Sequence, residues 1–401
     1  MNKLNKKPAI HIIIYSPFPS YSGGRENWLY NIAKEASKNN QRIIIYSLSS
    51  FQKSFYNLKG LMNLQVVKIP SIRVFNTVFL VFNKLLLNIP FLLDTFIIFN
   101  FLVRGRVQER LNKNDKVIAM NSVIELLPAV ALKEKNHGLN LICSIRGQVI
   151  RELGEKLSFL KGKIARIEKQ LLSKCDKIIV NGFDTQKNIE KVGFSCTVVP
   201  NGVDLQKYKN PDKDDNELSL IKKLRKKNKI IIMVASLRKI KGVDDLLFTV
   251  PLLKKVYQEP FKILFAGKGY VREYKNKAND IKVFDDVYFL GEKRNISGLL
   301  YYSDVVVCLS EGSGLSMSAL EAMAANKPIV AWDTPVYKQL FTNRKTGLLV
   351  PFKQHRKLAK SLADLLSSGE LQQRLGIAAR DEVEKYSWKN VYRILSNAIN
   401  L

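Results

Sequence analysis

The chain alternates between two hydrophobic patterns. Short apolar, largely β-branched runs at Ile10–Tyr15, Ile43–Ser47, Gln65–Ile69, Val117–Met120, Leu139–Ile145, Lys177–Val180 and Thr197–Val199 read as buried strands. Between them apolar residues recur at helical spacing, as in Trp28, Leu29, Ile32, Ala33 and Ala36, and again over Ile164–Lys174. Strand, loop, helix, strand is a βαβ unit, which predicts a parallel, doubly wound sheet. The alternation restarts at Ile230–Ala235. It continues through strands at Lys262–Phe265, Val287–Leu290, Val305–Leu309, Lys327–Ala331 and Gly347–Val350. Helical patterns cover Val243–Leu253, Ile296–Tyr302, Arg356–Ser368, Leu371–Lys385 and Trp388–Leu401. An α/β chain with two doubly wound halves in tandem is predicted.

At 401 residues there is room for two cores of ordinary size. The polar, proline-containing stretch Tyr208–Asp215 is the best linker, which puts the boundary near 200–217. We expect an N-terminal domain over 1–204 and a C-terminal domain over 205–385. A terminal helix at about 386–401 is expected to pack back on the first domain.

One stretch stands apart. After the Val305–Leu309 strand comes Ser310-Glu311-Gly312-Ser313-Gly314, a turn of small residues, and from about Leu315 a helical pattern in which Leu315, Ala319, Ala322 and Met323 recur. A glycine-rich turn entering a helix leaves N–H groups free to hold an anion. Glu321 lies about two turns into that helix, facing whatever the turn binds. Gly23-Gly24, after the first strand, lets backbone approach a ligand closely in the same way.

Composition bounds the partners. Lys and Arg number 65 against 35 acidic residues, a formal charge of +30. That balance favours nucleic acid, an anionic membrane surface or a polyanionic substrate, and could also reflect a background richness in Lys, Asn and Ile. No nucleic-acid recognition motif or aromatic stacking pattern accompanies it, so nucleic acid is not expected. Cys143, Cys175, Cys196 and Cys308 are far apart with no CxxC pair, as for free thiols in a reducing cytoplasm. Ala9–Tyr15 is too short for a signal peptide's apolar core. The apolar region Val74–Val103 is interrupted by polar residues, so it reads as two amphipathic helices, 74–88 and 91–103, suited either to the core or to a membrane face. Arg104, Arg106 and Arg110 beyond it suit anionic headgroups. Asp212-x-Asp214 matches a metal-binding DxD only superficially, in a solvated charge run. The three histidines, His11, His137 and His355, are not placed for catalysis.

Taken together and in order, several motifs resemble the retaining glycosyltransferase family four, the glycosyl transferases group 1, with the GT-B fold. They are Pro200-Asn201-Gly202-Val203-Asp204, Lys241-Gly242, Ala266-Gly267-Lys268-Gly269, Val287-Tyr288-Phe289-Leu290-Gly291, and Gly314-Leu315 with Glu321-Ala322-Met323-Ala324. The likeness is weak before 170 and strong from about 197. It implies two Rossmann-like domains facing a central cleft that takes a nucleotide sugar, with the acceptor bound mainly by the first. Arg238 and Lys241 would hold the donor diphosphate and stabilise charge on the departing nucleoside diphosphate. Backbone around Gly312, Ser313, Gly314 and Leu315 would complete the anion site, Glu321 would accept from the ribose hydroxyls, and Gly23 and Gly24 would border the diphosphate. Leu290 lies in the segment expected to meet the base.

Three positions depart from the family pattern. A glutamate expected eight residues before Glu321 is Ser313, with Glu311 nearby. The usual arginine before the lysine is Ser236, with Arg238 as its replacement. A first-domain histidine is Arg146, which can contact a sugar or phosphate but cannot act as a neutral base.

The resemblance implies a retaining, metal-independent hexosyl transfer without other cofactor. The donor would be UDP- or GDP-linked and the acceptor a lipid-linked or cell-envelope glycan of a bacterial cell. The protein would be cytoplasmic and peripheral at the inner face of the membrane. The competing reading is a catalytically silent GT-B protein that serves as partner or glycan-binding subunit of another glycosyltransferase.

Overall fold

The computed structural model describes residues 7–16, 18–19, 23–49, 54, 56–69, 100–121, 123–146, 161–312 and 314–401. They form two compact units, one of 1–199 with 392–401, the other of 200–391. The expected helix at 74–88, and 91–103 up to residue 99, lie outside the described residues. From 100 to 108 the chain is helical, five residues past the expected end.

In the first unit the chain runs β1 (Ile10–Ile14), α1 (Gly24–Lys38), β2 (Ile43–Leu48), β3 (Leu64–Ile69), β4 (Lys116–Met120), α2 (Leu126–Lys135), β5 (Asn140–Ile145), α3 (Lys161–Leu172), β6 (Lys177–Val180), α4 (Phe183–Lys191) and β7 (Thr197–Val198). Among the described residues the sheet order is β3-β2-β1-β4-β5-β6-β7, all parallel. β1, β2 and β4 are nearly continuous apolar runs because helices cover both faces. Along α1 the residues Trp28, Leu29, Ile32, Ala33 and Ala36 are buried, the stripe that their spacing predicts. Glu26 in its first turn and Lys38 in its last suit the helix dipole. Tyr392–Leu401 belong to this unit, where the Lys177 ammonium donates to the Ala398 carbonyl and to Asn400 Oδ1, both at 2.8 Å.

The second unit contains α5 (Leu205–Lys209), α6 (Ser219–Arg225), β8 (Lys229–Val234), α7 (Val243–Val256), β9 (Phe261–Ala266), α8 (Val271–Asp280), β10 (Val287–Gly291), α9 (Ile296–Tyr302), β11 (Val305–Cys308), α10 (Met317–Ala324), β12 (Ile329–Trp332), α11 (Pro335–Lys338), β13 (Leu348–Val350), α12 (His355–Ser367) and α13 (Gly369–Val383). Its sheet order is β10-β9-β8-β11-β12-β13, again parallel. The strand order reverses between β1 and β4 in one unit and between β8 and β11 in the other. In open parallel sheets, ligands bind outside the carboxyl ends of strands at such a switch point.

Candidate active site

The carboxyl end of β8 leads into a loop pinned on both sides. Leu237 N–H donates to the Lys268 carbonyl at 2.7 Å, and Tyr270 N–H donates to the Leu237 carbonyl at 3.0 Å. A side chain at Gly267 or Gly269 would run into the Ala235 or Leu237 carbonyl, so these glycines allow the two loops to lie together. Gly242 then closes a short 3₁₀ turn at Lys239–Lys241 with φ 74°, a left-handed conformation that glycine adopts without cost. A Cβ there would stand 2.5 Å from Leu309 Cβ, so the loop packs against the end of β11 only with glycine. Arg238 is exposed and its Nε donates to Ser236 Oγ at 3.3 Å. Lys241 is half-buried, and its ammonium donates to Ser310 Oγ at 3.4 Å, joining the loop after β8 to the loop after β11.

The loop after β11 is fastened residue by residue. Ser310 N–H donates to the Tyr337 hydroxyl at 2.9 Å, Gly312 N–H to Ser310 Oγ at 3.1 Å, and Glu311 N–H to the Ile240 carbonyl at 2.8 Å. Glu311 turns its carboxylate to Lys353, 3.2 Å away. Gly314 has φ 83°, and its carbonyl accepts from Gln339 Nε2 at 3.2 Å. The Leu315 carbonyl accepts from Asn201 Nδ2 at 2.8 Å. Ser316 caps α10 by accepting from Ala319 N–H at 3.3 Å, so the helix begins two residues later than Leu315. Among the described residues the Leu315 N–H meets no acceptor, and it lies at the entrance of a helix, where an anion is favoured. Ser313 lies outside the described residues.

Glu321 sits behind that loop on α10. Burial pushes its carboxyl up, while the Lys207 charge and a hydrogen bond from the Tyr208 hydroxyl pull the other way. The same proximity raises Tyr208 well above the usual phenol range, burial being the larger cause. At the end of β11 the Cys308 thiol, pushed to about 12 chiefly by burial, feels the negative charge of Glu321 and the positive charge of Lys241. The carboxyl edge of β8 and β11 therefore brings together Arg238, Ser236, Lys241, Gly312, Gly314, Leu315 and Glu321. Leu290 is in β10, two strands from β8, where the following Gly291 accepts from Gly267 N–H at 2.8 Å.

In the first unit Gly23 is the extended residue before α1 and Gly24 its first residue, with open space where a Cβ would stand on Gly24. Arg25 follows, and its Nη1 donates to Glu125 Oε1 at 3.1 Å. Glu125 is buried at the entrance of α2 and also accepts from Tyr15 N–H at 3.1 Å. Desolvation pushes its carboxyl to about 7 against the opposing pull of Arg25. Glu26, buried, accepts from Ser16 Oγ at 2.6 Å. Arg146 follows β5 and is buried. Its guanidinium lies 3.7 Å from the Trp28 ring centroid and donates to the Val199 carbonyl at 2.9 Å and to Ser144 Oγ at 3.3 Å. Burial lowers its pKa well below the usual arginine range.

Sequence reasoning did not single out Tyr208, Tyr337, Gln339, Trp28 or Glu125, which hold the named groups in place. Asn201 belongs to the Pro200–Asp204 motif, but its bond to Leu315 joins residues 114 apart in sequence. His11 is buried between the Tyr46 hydroxyl (2.9 Å) and Asp115 (3.0 Å), and His355 bonds Asp245 at 2.8 Å. Asp212 accepts from Asp214 N–H at 3.1 Å in an exposed turn. Among the described residues no helix is long and apolar enough to cross a membrane, and no three His, Cys, Asp or Glu side chains cluster as metal ligands do.

Comparison with known proteins adds independent findings. The family model described as "Glycosyltransferase Family 4" matches residues 22–207, and that described as "Glycosyl transferases group 1" matches 214–382. An uncharacterized glycosyltransferase of Haemophilus influenzae is 27% identical over 285 residues, 69% of this chain and 74% of that protein. Among solved structures, a sucrose-phosphate synthase of Thermosynechococcus elongatus superposes with TM-score 0.79 at 14% identity, over 98% of each chain. Anabaena HepE in complex with UDP-glucose gives 0.76 at 16%, over 98% of this chain and 100% of that one. At such identities the structural likeness is one of fold.

Proposed function

This chain belongs to glycosyltransferase family four and has the GT-B fold, and on that premise we propose that it transfers a hexosyl group from a UDP- or GDP-sugar to a lipid-linked or cell-envelope glycan, with retention at the anomeric carbon. The observation that carries the reading is the edge of β8 and β11, where the Lys241 ammonium, the Leu315 N–H (without an acceptor among the described residues) and the half-buried Glu321 carboxyl lie on successive loops and the helix behind them. A diphosphate needs the first two, because cations and oriented N–H groups stabilise the charge that grows as the sugar leaves. A ribose needs the third. Arg238, exposed on the same loop, supplies a forked donor for a phosphate oxygen. Glu311, engaged with Lys353, positions the loop. The donor diphosphate itself takes the acceptor's proton on the face it leaves, so no protein nucleophile is assigned and no metal or other cofactor is required.

The formal charge of +30 supports work at an anionic membrane surface, as a peripheral protein of the bacterial cytoplasm. That the Anabaena neighbour of the same fold holds UDP-glucose supports a nucleotide-sugar donor. The test is incubation with a panel of UDP- and GDP-sugars. Slow donor hydrolysis is expected from the wild type and is lost in Lys241→Ala; failure to bind any nucleotide sugar refutes the reading.

One observation favours a second reading, a silent GT-B subunit that binds a glycan or a partner transferase. Where the family has a histidine, the Arg146 guanidinium is buried on Trp28 and bonded to Val199. Hydrolysis appearing only with a co-purified transferase would select that reading.

A further inference from the structure

At the amino end of the first unit's sheet, on the edge opposite its Gly23–Gly24 loop, lies a cavity of about 620 Å³. Its walls come from the starts of β4 and β5, the residues before β1 and β2, and the last residues of the chain. Lys116 and Asn140 are paired neighbours in the parallel register, so they present side chains to the same face. Lys116 is only 8% exposed, yet among the described residues its ammonium meets no acceptor. Asn140 Oδ1 is buried and has no hydrogen-bond partner. A buried lysine without an acceptor is costly unless something in the cavity meets its charge. Lys7 stands at the rim, held by a 3.1 Å bond to the Asn39 carbonyl. No acidic side chain lines the cavity among the described residues. Burial, and then the neighbouring Lys177, lower the Lys116 pKa. Gln41, Asn114, Asn400 and Tyr392 complete the lining.

We propose that this cavity is a second ligand site, separate from the switch-point edge, that takes an anionic sugar residue. The lysines select the negative group. Amides able both to donate and to accept suit sugar hydroxyls, and an aromatic ring suits a sugar's C–H face. The volume is that of a small-ligand site, several times what an inorganic ion fills. The site stands independently of the transfer reaction proposed above.

The full chain is titrated in excess UDP, which occupies any nucleotide site, with glucose 1-phosphate, glucuronic acid, glucose and inorganic phosphate, followed by ligand-observed NMR. Glucose 1-phosphate or glucuronic acid is expected to bind at least about ten-fold more tightly than neutral glucose, from one charge-assisted hydrogen bond, and more tightly than inorganic phosphate, from the sugar's own contacts. Lys116→Met should weaken that binding by a similar factor. Lys7→Glu, at an exposed position that leaves the fold unchanged, should weaken it as well. The thermal shift produced by UDP should be the same in both variants and the wild type, which separates loss of this site from loss of the nucleotide site. Equal binding of glucose overturns the charge argument, and equal binding of inorganic phosphate overturns the sugar. Binding that survives Lys7→Glu and Lys116→Met, or no binding at all, overturns the site.

Discussion

Glu125 offers a sharp test of the physical account of the first unit. It is buried at the β1–β4 switch point, and desolvation outweighs the Arg25 guanidinium, so its carboxyl titrates at about 7 instead of 4.5. The folded state therefore binds this proton more tightly than the unfolded chain does. Between pH 4.5 and 7 folding takes up a proton, so stability rises as pH falls through that window and is lost as pH rises through 7. From pH 5 to pH 8 the loss is about 2.5 kcal/mol, because one proton taken up on folding makes stability fall by roughly 1.4 kcal/mol per pH step inside the window. Glu125→Gln keeps an oxygen for Arg25 and Tyr15 but cannot ionise, so it should lack this slope. The assay is hydrogen–deuterium exchange of the β1 and β4 amides, whose slowest exchange reports unfolding of that unit. Measured at several pH values and corrected for intrinsic exchange, the variant should gain about 2.5 kcal/mol on the wild type between pH 5 and 8. A difference flat to within about 0.5 kcal/mol would show an ordinary, ionised carboxylate and refute the desolvation argument.

Two further outcomes are expected in the second unit. Gly242→Ala forces a side chain into a left-handed position against Leu309 and should destabilise the unit by at least about 2 kcal/mol in urea unfolding; an unchanged midpoint would mean the loop has room to shift. The Cys308 thiol, held at about 12, should resist iodoacetamide at pH 8 in the native chain and react once urea is added. Rapid native alkylation followed by mass spectrometry at that residue would contradict its burial.

Much of this was legible in the chain because the information is local. Apolar runs such as Ile10–Ile14 and Val305–Cys308 are strands because they are buried on both faces, and period and length reveal that directly. The Lys241-Gly242 and Gly314-Leu315 motifs were legible because their backbone demands glycine. What the sequence concealed is pairing across distance. Nothing near Glu321 announces Tyr208, and nothing near Ser310 announces Tyr337, since each contact exists only once separate elements have packed. Arg146 is a case in point. Its residue type suggested a phosphate contact, but Trp28 and Val199 decide its surroundings. The start of α10 shows the opposite limit. Leu315 fits the helical period, yet Ser316 stops the helix by capping it, because a hydroxyl meets the open N–H better than another turn does.

The return of Tyr392–Leu401 to the first unit makes that unit discontinuous in sequence, whereas residues 200–391 are contiguous. During synthesis the first unit is thus left open through nearly two hundred codons. Lys177 cannot reach its acceptors at Ala398 and Asn400 until residues 398–400 have left the ribosome. The later-made unit is the one able to close first. A chain stopped at residue 391 would retain the whole of 200–391 and lack the segment that completes the first unit, and a cell's proteases would meet the defect in the part that was translated earliest.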